Sequence, residues 1–223
     1  MGIDVKFAGV HATLSDEDTA DHIIKTIAET GRFYEEKLLA ELYHRAMPDW
    51  FFVDVGAHIG NHSVFLGKIL GLCGIALEPN PASFKKLCFN LSENGLDNQV
   101  GALKLAAGEL SGRGNVKPPS KLNNSGMTRI VSSEDGPVVI QSLDSLQLGR
   151  LDLLKLDVEG SEVRCIKGAR STLLRHKPLL VIEASNTSNF LDIRALLAPI
   201  GYNPIRRFNS TPTYLFEHSS CAS

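Results

Sequence analysis

The stretch Trp50-Phe51-Phe52-Val53-Asp54-Val55-Gly56-Ala57-His58-Ile59-Gly60-Asn61 decides the fold. Its first half is a continuous apolar run closed by a carboxylate, the pattern of a strand buried on both faces in a parallel sheet. Its second half is a glycine turn leading into a helical pattern around Val64, Phe65 and Ile69. The alternation continues downstream. Gly74-Ile75-Ala76-Leu77-Glu78 reads as a second strand ending in an acid. Asn80 and Pro81 open the next helix as cap and first helical residue. Phe84, Leu87, Cys88 and Leu91 form its core face, and Asn94-Gly95 ends it. A third strand falls near Gly101–Ala106 and a fourth over Leu151–Val158, followed by a helix from Val163 to Leu174. A fifth strand, Leu179–Glu183, precedes a helix over Phe190–Leu197. The last two strands, near Pro204–Phe208 and Thr213–Glu217, are joined by Asn209-Ser210-Thr211-Pro212, too short a link for a parallel crossover. The pattern predicts a doubly wound α/β domain with a seven-stranded sheet. The last strand should run antiparallel beside the fifth.

Two regions depart from this rhythm. Up to Pro48 the sequence reads as helical, with patterns at His22–Ile27 and Glu36–Leu42 separated by Gly31. Residues 1–48 are therefore expected to form an N-terminal helical extension or lid, and residues 49–223 the main domain. Between Gly108 and Ser145 glycines and prolines break the periodicity, with short strands expected at Thr128–Val131 and Val138–Gln141. A long insertion in an α/β domain is more often functional than idle. The insertion at about 109–147 is expected to contribute to an acceptor site through Lys121, Asn123, Asn124, Ser125 and Met127.

Composition narrows the partners. Lys plus Arg is 23 and Asp plus Glu 25, a net charge of −2 over 223 residues. With no basic block there is no footprint for nucleic acid or for an anionic membrane surface. The start is acidic (Asp4, Asp16, Glu17, Asp18, Asp21), unlike a signal peptide, and no stretch is apolar for long enough to span a bilayer. Cys73, Cys88, Cys165 and Cys221 form no C-x-x-C pair and read as reduced thiols of a cytoplasmic protein. Oligomeric state leaves no trace in the sequence.

In open α/β sheets ligands bind beyond the carboxyl ends of the strands, at the point where the strand order reverses. The candidate donor-binding residues are accordingly Asp54, Gly56, Ala57, Gly60 and Asn61 after the first strand, and Glu78 and Pro79 after the second. A dinucleotide site calls for G-x-G-x-x-G. Here the spacing is D-x-G-x-x-x-G, suited to S-adenosylmethionine, which has no pyrophosphate, with Glu78 placed to accept from both ribose hydroxyls. At the fourth strand, alternation puts Lys155, Asp157 and, if extension persists, Glu159 on one face as candidate catalytic residues. The competing reading is an ion-paired cap on the sheet end, with Glu159 and Glu162 serving the next helix's amino terminus. The histidines have no convincing ligand spacing. Asp157, Glu159 and Glu183 could bind a hard cation, but strand-end acids are common, and no metal is expected.

The blocks FVDVGAHIGNHSVF, ALEPNP, LDLLKLDVEGSEVRCIKGA and PLLVIE resemble those of the FkbM family of methyltransferases, from about Phe33 to Glu183. The K-x-D-x-E-G-x-E block is the most specific part. The resemblance implies a class I, Rossmann-like methyltransferase fold, S-adenosylmethionine as cofactor, and a small-molecule hydroxyl acceptor, often on a sugar or polyketide. Asp54, Gly56 and Gly60 match the family's donor loop, Glu78 its ribose acid, and Lys155, Asp157, Glu159 and Glu162 its signature block. Ala107, Gly108 and Glu109 fall where the third strand's exit meets adenine. The family commonly has Asn where His58 stands, so His58 is given no chemical role. The expected chemistry is methyl transfer to an alcohol oxygen, with Asp157 or Glu159 orienting and deprotonating the acceptor and Lys155 holding the cluster. A nicotinamide-dependent oxidoreductase on a similar sheet and a non-catalytic nucleotide-binding module are the rival readings.

Overall fold

The computed structural model describes residues 2–15, 22–117 and 129–221. In chain order, a hairpin of β1 (Ile3–Phe7) and β2 (Val10–Leu14) is followed by α1 (His22–Thr30) and α2 (Glu36–Arg45). Then come β3 (Phe51–Val55), α3 (Asn61–Val64) continuing as a π-helical turn to Ile69, β4 (Cys73–Leu77), α4 (Pro81–Glu93) and β5 (Val100–Leu103). The insertion holds β6 (Ala106–Ala107), β7 (Gly112–Lys117), β8 (Arg129–Ser132) and β9 (Val138–Gln141). The second half comprises β10 (Leu153–Leu156), α5 (Glu162–Lys167), α6 (Arg170–His176), β11 (Leu179–Glu183), α7 (Thr187–Leu197), β12 (Tyr202–Phe208) and β13 (Thr213–His218).

The central sheet has seven strands in the order β12-β13-β11-β10-β3-β4-β5. All run parallel except β13, which is antiparallel to β11 and β12 on its two sides. The expected architecture is therefore present, including the last strand beside the fifth strand of the run. Strands β3, β10 and β11 are apolar apart from one charged residue each, Asp54, Lys155 and Glu183, because helices cover both sheet faces. Phe52, Phe65 and Leu87 lie in one core layer and Val55, Leu156, Leu173 and Ile193 in the other. The strand order reverses between β3 and β10, so the exits of these neighbours bound the switch-point crevice.

Three sequence expectations need correction. The first 48 residues are not purely helical, since residues 3–14 form a hairpin. Val5, Ala12 and Leu14 alternate inward with period 2, and Ala8 (φ 48°) and Gly9 (φ 86°) make the two-residue turn. Its β2 edge is covered by α4: Asn94 pairs with both backbone groups of Thr13 (2.9 and 2.7 Å) and Asn90 with both of Ser15 (2.8 and 3.1 Å). Secondly, the expected helix from Val163 to Leu174 breaks at Gly168. A Cβ there would lie 2.0 Å from the Gly108 carbonyl oxygen, so this glycine lets the β6 exit approach the α5–α6 corner. Thirdly, the insertion contains β7, which Gly112 and Gly114 disguised, and β6 pairs with β9 in a separate four-stranded sheet rather than extending β5. Lys121, Asn123, Asn124, Ser125 and Met127 lie outside the described residues.

Candidate active site

A cavity opens at the switch point. Its wall is formed by Gly56 and His58 after β3, Glu78, Pro79 and Ser83 after β4, and Leu105, Ala106 and Ala107 at the insertion. Asp157, Val158, Glu159 and Ser161 after β10 complete it, while Ile23 of α1 and Ile130 of β8 close over the top. The cavity volume is about 100 Å³, against roughly 300 Å³ or more for typical small-molecule pockets.

The donor end is organised by backbone. The Gly56 and Ala57 N–H groups both donate to the Leu77 carbonyl (2.9 and 3.0 Å), closing the turn onto β4. Gly56 has φ 80°, and a Cβ there would stand 1.8 Å from the Asp157 carbonyl oxygen. No other residue fits between the two strand exits. Glu78 is buried at the turn's edge; its Oε2 accepts from the His58 N–H and its Oε1 from the Asn80 N–H, both at 2.8 Å. Burial pushes its carboxyl up to about 7, against the pull of those two N–H donors.

The acceptor end is organised by side chains. Lys155 is buried and lies 3.1 Å from Asp54 and 3.4 Å from Asp157. Burial works against its charge, but the two carboxylates outweigh this and raise its pKa. Lys155 in turn holds the Asp157 carboxyl low although burial opposes it. Glu183, at the end of the adjacent β11, is pushed up to about 9, first by burial and then by the Asp157 carboxylate. At neutral pH Glu183 thus carries a proton and Asp157 does not. One oxygen each from Asp157, Glu159 and Glu183 lies within 4.8 Å of the others, a spacing that a hard cation could bridge. Behind them Glu35, at the start of α2, sets its Oε2 3.1 Å from His62 Nε2 and accepts from Asn209 Nδ2 at 2.6 Å.

The expected site residues divide into those that face the cavity and those that support it. Gly56, Glu78, Pro79, Ala107, Asp157 and Glu159 line it. Asp54 does not: fully buried, it accepts from the Ser63 hydroxyl (2.7 Å) and from Lys155 (3.1 Å), so it braces the loop from beneath. Ala57 and Gly60 are buried within the turn, and Gly60 packs on Leu87. Asn61 faces away and pairs with the backbone N–H and carbonyl of Tyr34 (3.0 and 3.1 Å), tying the N-terminal segment to α3. Gly108 lies in an adjoining cleft with Glu109 and Arg164. Lys155 does not line the cavity and acts through Asp157. Extension does not persist to Glu159: the strand ends at Leu156, and Glu159 (φ 50°) and Gly160 (φ 88°) turn left-handed. The sequence reading missed Glu35 and His62, whose meeting depends on how α2 packs against α3.

A Rossmann-like sheet with a glycine turn at its switch point and a buried acid at the next strand end defines a methyltransferase-type α/β enzyme. Residues 54–204 match the methyltransferase FkbM domain, and the chain belongs to that family. It is 27% identical over 146 residues to hexuronic acid methyltransferase AglP of Haloferax volcanii, covering 62% of this chain and 58% of AglP. The chain thus matches less than two thirds of that relative's length. Among solved structures, a methyltransferase FkbM from Methylobacillus flagellatus superposes with a TM-score of 0.60 at 20% identity, over 92% of this chain and 56% of that one. A precorrin-6y C5,15-methyltransferase from Geobacter metallireducens gives 0.56 at 17% identity, over 92% and 96%. These likenesses place the fold, and the family match is to a methyltransferase domain rather than to an oxidoreductase. Among the described residues no helix is long and apolar enough to cross a membrane.

Proposed function

We propose that the chain transfers a methyl group from S-adenosylmethionine to a hydroxyl oxygen of a small molecule such as a sugar, without a metal. The observation that carries this reading is the cavity itself. One acid, Glu78, lines it at the exit of β4, and a pair of acids, Asp157 and Glu159, after β10, with apolar Leu77, Leu105, Ala106 and Ala107 also in the wall. That layout suits a ribose, a flat base and a cationic centre. The residues fit this donor: Glu78 would accept from the ribose hydroxyls, Ala106 and Ala107 would flank adenine, and the Gly56 turn would admit the amino-acid portion. When bound, the donor supplies an electrophilic methyl on a sulfonium. In such a transfer the acceptor oxygen would form the new C–O bond as the C–S bond broke, the electron pair would stay on sulfur, and Asp157 or Glu159 would take the hydroxyl proton.

The protein's part is mostly positioning, with reacting atoms about 3–3.5 Å apart. Asp157 is available as an acceptor for the hydroxyl because Lys155 keeps it ionised and Glu183 donates to it, although the same two partners lower its basicity. The similarity to a hexuronic acid methyltransferase makes hexoses and hexuronic acids the first acceptors to try. The test is incubation with S-adenosylmethionine and such a panel, with product analysis by mass spectrometry and cleavage chemistry that separates ethers from esters. A methyl ether formed equally with and without chelator supports the reading. Methyl esters only, or turnover abolished by chelator and restored by magnesium, would overturn it.

A further inference from the structure

We infer that Glu162 is a positioning residue whose buried carboxylate locks the left-handed turn that holds Glu159 in the cavity beside Asp157 and Glu183. The role of Glu159 in catalysis rests on the proposed methyl transfer, whereas the lock itself rests only on geometry.

Strand β10 ends at Leu156, and Glu159 then adopts φ 50° next to Gly160 at φ 88°. A non-glycine residue held there costs about 1–3 kcal/mol and persists only if its surroundings over-determine it. The two amides that bracket Glu159 supply the constraint. The Val158 N–H (3.3 Å) and the Gly160 N–H (2.9 Å) both donate to the same atom, Glu162 Oε1. Hydrogen bonds to a carboxylate are stronger than neutral ones. Glu162 is 1% exposed, so solvent does not compete for them. Its Oε2 makes no hydrogen bond in the structure. One acceptor oxygen at this reach therefore makes both bonds, which an amide oxygen at the same position can also accept.

This separates the lock from an ordinary helix-end acid at the start of α5. A helix-end role needs the charge, and aspartate would serve it as well as glutamate. The lock needs the reach: Gln keeps the oxygen in place, while Asp withdraws it by about 1.5 Å, one C–C bond.

The readout is the Glu183 carboxyl, which faces Asp157, Glu159 and Glu35 and is raised in part by Glu159. It can be followed by carbon NMR of glutamate-labelled protein in metal-free buffer. E159Q should lower the Glu183 titration by on the order of half a pH unit by removing a neighbouring charge. E162D should lower it comparably by releasing Glu159, and E162Q should leave it at the parent value. Gly160→Ala attacks the same turn through the backbone and should also lower it, which provides a second route if E162D does not fold. The inference is overturned if E162D and Gly160→Ala keep the parent titration, or if E162Q moves it as far as E162D does. No donor or acceptor is needed, so failure of the proposed methyl transfer would leave this result standing.

Discussion

At the exits of β3 and β4 the cavity wall is backbone and one acid: the Gly56 turn hydrogen-bonded to Leu77, and Glu78 fixed by two N–H donors. At the exits of β10 and β11 it is a cluster of titratable side chains: Asp157, Glu159 and Glu183 together, Asp157 paired with Lys155, and Glu35 and His62 behind. The first end has one shape, set by main-chain hydrogen bonds. The second depends on which carboxyls hold protons. The difference suggests that the donor end recognises a fixed ligand and the acceptor end handles a proton, and substitutions can break or sharpen that division.

The largest effect should come from Gly56→Ala. With φ 80° and the Asp157 carbonyl 1.8 Å from the new Cβ, the two strand exits must separate. We expect a loss above about 4 kcal/mol, seen as failure to fold or as abolished binding of S-adenosylhomocysteine. A folded variant with parent affinity would show that the turn is not the donor site's frame. Next is Asp157→Asn, which keeps shape but removes charge. Turnover with an acceptor identified from the hexose and hexuronic acid panel should fall about 10²–10⁴-fold. Equal turnover would move the base to Glu159 or Glu183.

Most of the donor end was legible in the sequence, because its determinants are local: a carboxylate, two glycines and an acid at a strand end, at fixed spacing. Asn80 was legible as a cap for the same reason, and its side chain does accept from the Ala82 N–H. The acceptor end was legible only in its signature block. Glu159 reached the cavity by a left-handed turn that strand alternation does not foresee. Glu35 and His62 are 27 residues apart and meet only through tertiary packing. The N-terminal hairpin did carry a signal, since Ile3, Val5 and Phe7 alternate with polar residues before Ala8-Gly9, but the stronger helical patterns downstream masked it.

A smaller effect concerns pH. The free Glu78 carboxyl is shifted from 4.5 up to about 7, so the folded chain binds that proton more tightly than the unfolded one. Glu78 should therefore lower ligand-free stability as pH rises from about 4.5 to 7, by up to about 3 kcal/mol, in addition to the fall that Glu183, pushed up to about 9, continues above pH 7. Donor binding should run the opposite way, because ribose hydroxyls need the ionised form: affinity climbs with pH toward 7 and then flattens. Thermal melts and calorimetry across pH 5–8 check both slopes; Glu78→Gln should remove the binding slope and make the stability slope shallower by the Glu78 share. If the parent chain shows neither slope, Glu78 titrates elsewhere. The smallest effect is expected for His58→Asn, since it is the His58 backbone N–H that reaches Glu78. Asn tolerates the observed φ of 52°, so donor affinity should stay within about 0.5 kcal/mol. A larger loss would give the imidazole a role.

The division between the two ends is tested most directly by titrating S-adenosylhomocysteine calorimetrically into Glu78→Ala and Asp157→Asn side by side at pH 8. The account predicts that Glu78→Ala loses about 1.5–3 kcal/mol of affinity, as two hydroxyls lose a charged acceptor, while Asp157→Asn binds as the parent does. Unchanged binding in Glu78→Ala together with weakened binding in Asp157→Asn would contradict it and place the donor over β10 instead.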